Sequence, residues 1–141
     1  TFARLAGGKA PTDRKIDGHD ITPLIANQPG ARTPYDAFFY YYKEQLQAVR
    51  SGPWKLFVPL KDFVRHPHFK KGQKAEPRLF HLVNDIGSTT NLAKEYPHIV
   101  ESLMAHAERA RADLGDRGKR GAGQRQIGTM KNPTPRVMAK N

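Results

Sequence analysis

The side chains best able to do chemistry crowd into one stretch, where Arg65, His66, His68, Lys70 and Lys71 fall within seven positions. The spacing His66-Pro67-His68 could hold two corners of a metal site, but no third or fourth ligand stands at useful spacing, so no metal site is read here. The cations of the same stretch would raise the local concentration of an anionic ligand; the plainer reading is a solvated loop. His19, His81, His98 and His106 stand alone and are read as surface or partly buried structural residues. No Ser/His/Asp order and no glycine-rich phosphate loop is present. The chain has no cysteine, which excludes a disulfide framework, a thiolate zinc site, an iron–sulfur cluster and a cysteine nucleophile, and leaves the compartment open.

The elements that must position these residues are those of one modest domain. The chain has 141 residues, 38% of them hydrophobic, with 24 Lys+Arg against 13 Asp+Glu for a net charge of +11. The excess is uneven: residues 115–141 hold seven Lys/Arg against Asp116 alone, and residues 61–78 hold six against Asp62 and Glu76. Five glycines and two prolines in residues 115–141 leave little to bury, so this basic tail is read as irregular and solvated. A tail lying across a larger protein and an arm binding a polyanion are the alternatives. No basic run is interleaved with aromatics and no helix-turn-helix motif appears, which argues against nucleic acid. No apolar run approaches the roughly 18 residues of a membrane helix.

Residues 1–36 read mostly as loop, with one short helix near residues 21–26 for which Asp20 supplies a cap and Pro23 a first turn. Thr1 to Gly8 resembles the last turn of a helix closing on glycine, a pattern that expects sequence upstream. Residues 37–83 carry four strand signals. The first, 37–42, is aromatic on both faces. Strands 46–51 and 54–58 flank Gly52-Pro53 as a hairpin, with Trp54 as the largest burial of the domain, and 79–83 is the fourth. Residues 61–77 read as a long polar loop. From Pro97 to Leu114 the stripe Val100, Leu103, Ala107, Ala110 and Leu114 predicts an 18-residue helix, about 27 Å long, ending at Gly115. The fold class is α+β: a small antiparallel sheet of three to four strands with one long C-terminal helix packed on one face. One helix covers one face, so the other is expected to need cover from elsewhere.

Three segments resemble, in order, the C-terminal region of the arylsulfatase family, the sulfatases that use formylglycine. They are Leu5-Ala6-Gly7 with the stretch from Ile16 to Leu24 (IDGHDITPL); Phe38-Phe39-Tyr40 leading to the stretch from Ala48 to Leu56 (AVRSGPWKL); and the stretch from Leu79 to Ala93 (LFHLVNDIGSTTNLA). Family members usually carry Asp at His81, Pro at Ile86 and Glu at Ser88, so a looser turn is expected here. The resemblance implies a subdomain over residues 1–114 that packs on an N-terminal sulfatase catalytic domain, followed by the tail 115–141. It also implies that the formylglycine and a divalent cation, calcium or magnesium, belong to that other domain, and that this chain alone is inactive and holds no cofactor. The string Ser51-Gly52-Pro53-Trp54-Lys55-Leu56 has Trp and Leu where a formylglycine motif needs a small residue and an Arg, which rejects Ser51 as a nucleophile. By the same resemblance Arg65, His66, His68 and Lys70 would form a basic rim at the entrance for a sulfated substrate, and the parent enzyme would be periplasmic or secreted. The alternative function is a stand-alone basic module for nucleic acid or a sulfated polysaccharide.

Overall fold

A computed structural model describes residues 1–60, 65–70, 75–126 and 128–134. Two one-turn helices come first, α1 (Phe2–Leu5) and α2 (Thr22–Ile25). The N-cap of α2 is Ile21 rather than the expected Asp20, and Asp20, one residue earlier, accepts the Thr22 N–H through Oδ1 at 3.0 Å. Strands β1 (Phe38–Tyr42), β2 (Gln45–Ser51), β3 (Trp54–Phe57) and β4 (Arg78–His81) then form one antiparallel sheet in sequence order. The long helix α3 (Pro97–Leu114) follows with the bounds that its first-turn proline and terminal glycine predict.

The β2–β3 connection is the tight hairpin read from Gly52-Pro53. Ser51 pairs with Trp54, Gly52 takes φ +52°, and proline holds its own φ near −65°, the combination that matches the right-handed twist of the flanking strands. In the β1–β2 pair Tyr40 faces Ala48 but Tyr41 faces Leu46, so Gln47 is the extra residue of a bulge. This displacement frees the Gln47 amide from the regular alternation.

Across one face of the sheet the register aligns Phe39, Val49, Leu56 and Leu79. Helix α3 packs against β2 and β3, burying Leu103, Ala107 and Ala110. The two alanines let the helix approach closely, and Leu103 alone contributes about 2 kcal/mol by leaving water. The apolar stripe stops one turn short of its expected end: Leu114 is exposed, and the last turn packs through Arg111 instead. Trp54 is likewise only half-buried, its ring against His81 and Tyr96, and Phe80 is the largest fully buried side chain.

The opposite face was expected to need cover from elsewhere. Over Phe57 and Phe80 the chain covers itself with the segment His66-Pro67-His68-Phe69, while Phe38 at the edge strand stays exposed. The start of the tail also departs from the expected irregular chain. Strands β5 (Gly115–Asp116) and β6 (Lys119–Arg120) pair as a two-residue ribbon, and the N–H groups of Ala122 and Gly123 donate to the Ala112 and Asp113 carbonyls at 2.8 Å. These bonds satisfy carbonyls that the end of α3 would leave open. Among the described residues no helix is long and apolar enough to cross a membrane.

Candidate functional site

The basic stretch is built onto the sheet rather than projecting from it. The bulge directs Gln47 out of its strand, and its Nε2 donates to the Arg65 carbonyl at 2.6 Å, while the Val58 N–H donates to the Gln47 carbonyl at 3.0 Å. From that anchor the chain turns inward. His66 is buried, its ring stacked on Phe69 at 4.3 Å between centroids and edge-on to Phe57 at 5.1 Å. His68 stacks on Phe80 at 5.1 Å and meets Phe57 at 4.4 Å. The His68 N–H donates to His66 Nδ1 at 3.1 Å, so this ring nitrogen of His66 is an acceptor and carries no proton.

These surroundings set the charge. Desolvation, then the neighbouring His68, pull the His66 pKa down to about 4; a hydrogen bond to the Gln47 backbone opposes this, and Arg78 and Lys55 add to the lowering. His68 is lowered by burial first and then by Arg78 and Lys55. Lys55 is itself lowered, by burial and by Arg50 opposite it in the sheet, and its ammonium lies 4.5 Å from the Tyr40 ring centre and 4.7 Å from that of Phe57. The two histidines are therefore neutral aromatic packing groups at pH 7. Of the residues read as a basic rim, Arg65 and Lys70 stand exposed on either side of this packed segment. Lys71 lies outside the described residues, as do residues 61–64 and 72–74 of the same stretch. The structure thus brings all four candidates together and divides them, two cations outward and two imidazoles inward.

Sequence reasoning missed Gln47 and Phe69, which hold this segment in place. Gln47 did carry a signal, an amide set between the apolar residues Leu46 and Ala48. Among the described residues no group of three or more His, Asp or Glu side chains could hold a metal ion. Ser51, the serine of the rejected string, donates its hydroxyl to the Asp36 carbonyl at 2.7 Å, at a hairpin corner.

The last motif of the sequence is tied as well. Asn91 Oδ1 accepts the N–H groups of Leu79 at 2.9 Å and Ala93 at 3.1 Å, binding the loop to the edge strand β4. The turn around Ile86 and Ser88 is closed by Asp85, whose carboxylate accepts the Thr89 N–H at 2.7 Å, the Thr90 N–H at 2.8 Å and the Thr89 hydroxyl at 3.0 Å. Those donors hold the Asp85 carboxyl below its ordinary pKa. The turn expected to be loose is closely bonded.

Residues 33–135 match the family described as the C-terminal region of aryl-sulfatase. This chain belongs to that family. Steryl-sulfatase of Mus musculus is 44% identical over 61 residues, covering 40% of this chain and 10% of that protein. Arylsulfatase D of Homo sapiens is 37% identical over 73 residues, covering 48% and 12%. A sulfatase of Formosa agariphila is 29% identical over 105 residues, covering 69% and 18%. The fold is similar to that of a solved structure from Bacteroides thetaiotaomicron described under metabolism of multiple glycosaminoglycans (BT33336S-sulf), with a TM-score of 0.58 at 23% identity, over 78% of this chain and 23% of that one. The chain thus spans 10% to 18% of the length of these curated relatives. Within the aryl-sulfatase C-terminal region fall β1, the hairpin, the packed histidine segment, the Asn91 loop and α3; α1 and α2 lie before it.

Proposed function

We propose that this chain is the C-terminal subdomain of a sulfatase, an enzyme that hydrolyses sulfate esters, and that it packs on a catalytic domain preceding it in the same polypeptide. The observation that carries this reading is the family match over residues 33–135, which spans the four-stranded sheet and the helix across it. Formylglycine and a divalent cation would be supplied by the catalytic domain. The residues present here do not fit either: there is no cysteine, Ser51 is tied into a turn, and no cluster of ligands forms among the described residues.

The role of the basic stretch follows from its division. Arg65 and Lys70 supply positive potential at the substrate entrance, where a sulfate monoester arrives as an anion. His66 and His68 hold those cations in place through aromatic packing and contribute no charge of their own. The test is a longer polypeptide that includes the catalytic domain, assayed on a chromogenic aryl sulfate. It is expected to turn over substrate while this chain alone does not, and Arg65→Ala with Lys70→Ala is expected to raise KM several-fold with kcat little changed, more so at low salt. An inactive long polypeptide would remove the sulfatase reading, whereas an unchanged KM would remove only the rim.

A further inference from the structure

Residues 1–32 behave as a foreign piece on this subdomain. They lie outside the family match, which begins at Thr33. Neither α1 nor α2 buries a residue, and among the described residues no core side chain comes from before Ala37. Their apolar side chains stand in water: Phe2 is 88% exposed, Leu5 64%, Leu24 39% and Ile25 66%.

Yet the segment is not loose coil. Thr1 Oγ1 donates to the His19 carbonyl at 3.0 Å and accepts the Ile21 N–H at 2.9 Å, and Arg4 forms an ion pair with Asp20. Those bonds clamp α1 to the start of α2. The contacts joining this unit to the rest of the chain lie at exposed positions: Lys15 reaches the Asp113 carboxylate at 2.9 Å, the Tyr35 hydroxyl donates to the Asp17 carbonyl at 2.9 Å, and the His19 ring meets Tyr35 edge-on at 4.8 Å. Exposed pairs of this kind hold little. A backbone fixed by specific hydrogen bonds but carrying four uncovered large apolar side chains is half of an interface.

We infer that residues 1–32 belong to the catalytic domain, and that Phe2, Leu5, Leu24 and Ile25 complete its hydrophobic core, so the boundary of the C-terminal subdomain lies near residue 33 rather than at residue 1. The inference rests on the sulfatase reading above. The occupant follows from chain length and position. The curated relatives are several times longer than this chain, and the uncovered side chains sit on the N-terminal side of the family match, where the catalytic domain would join. Apolar area of this size is covered most cheaply by chain already tethered beside it, since the tether keeps the local concentration high.

The experiment compares Leu5→Asp with Ile25→Asp, made together, in two settings. In this chain alone the pair is expected to leave the thermal midpoint within about 1 °C, because both side chains already face water. In the long polypeptide the same pair is expected to lower the midpoint by about 4 °C or more and to cut aryl-sulfatase activity at least several-fold, while Leu5→Met with Ile25→Val preserves both. An active long polypeptide indifferent to the Asp pair would overturn the assignment and leave the sulfatase reading standing. A long polypeptide inactive even with the native residues would sink that reading itself. A dimer of this chain that the Asp pair dissolves would give the surface to a second copy and overturn the inference.

Discussion

Arg111, in the last turn of α3, donates from Nε to Asp116 Oδ2 at 2.7 Å, and Asp116 Oδ1 in turn accepts the Leu46 N–H at 3.2 Å. One carboxylate therefore joins the end of the helix, the first strand of the small ribbon and the start of β2. Both side chains are about four-fifths removed from solvent, where a charge-assisted hydrogen bond outweighs the marginal worth of a surface pair.

Removing Asp116 leaves the Arg111 guanidinium half-paired and the Leu46 and Arg117 N–H groups without their acceptor. Asp116→Ala is expected to cost about 2 kcal/mol in urea unfolding, and Asp116→Asn less, since an amide oxygen still accepts from backbone. The sign with pH follows from its pKa: burial raises it, but the bonds from Arg111, Arg117 and Leu46 outweigh that and hold it below its ordinary value. This stability is present above pH 4 and is lost as pH falls through the folded-state pKa. Equal losses for Ala and Asn would show that the backbone acceptor role counts for nothing.

Acid should loosen the histidine segment. His66 titrates near 6.5 when unfolded and at about 4 when folded, so the folded state favours the neutral ring. Its contribution is complete above pH 6.5, declines as pH falls from 6.5 toward 4, and has cost on the order of 2 kcal/mol by the lower limit. Thermal midpoints at pH 7.5 and 4.5 measure this, and His66→Phe, which keeps an aromatic ring between Phe57 and Phe69, is expected to flatten the difference. An unaltered pH slope in that variant would mean the ring does not titrate as its burial requires.

Two glycines close the ribbon for steric reasons. A Cβ on Gly121 would lie 2.3 Å from the Asp113 carbonyl oxygen, and one on Gly115, at φ +92°, would lie 2.5 Å from the Lys119 carbonyl oxygen. Backbone cannot yield there as a flexible side chain could. Gly121→Ala is expected to cost about 2 kcal/mol or more and to expose the 115–123 amides to hydrogen exchange, whereas Gly128→Ala, with open space around it, is expected to be silent.

Asn91→Ala removes one oxygen that satisfies two backbone donors. A loss of about 1 to 2 kcal/mol is expected, with faster amide exchange at Leu79, the strand residue whose N–H would open to water. Protection at Leu79 equal to that of the native chain would remove Asn91 from this role.

Much of the architecture could be read from local chemistry. Proline at the first helical position and glycine after the last bound α3 to the residue, because capping is decided within one turn of chain. Gly52-Pro53 specified the hairpin, and the second and third motifs fall inside the matched aryl-sulfatase C-terminal region while the first precedes it, since turns and edge-strand ties depend on near neighbours. What local pattern could not decide was which surfaces meet. His66 and His68 sit in a run of Lys and Arg that reads as solvated, yet they fold back onto Phe57 and Phe80, outside that run on its two sides, and burial there favours their neutral form. Trp54 and Leu114 read as core but remain partly exposed, because burial depends on what packs opposite rather than on apolar character. Composition and spacing determine where strands, turns and helix form; only the tertiary structure decides which of their side chains leave water, because desolvation is a property of contacts distant in sequence.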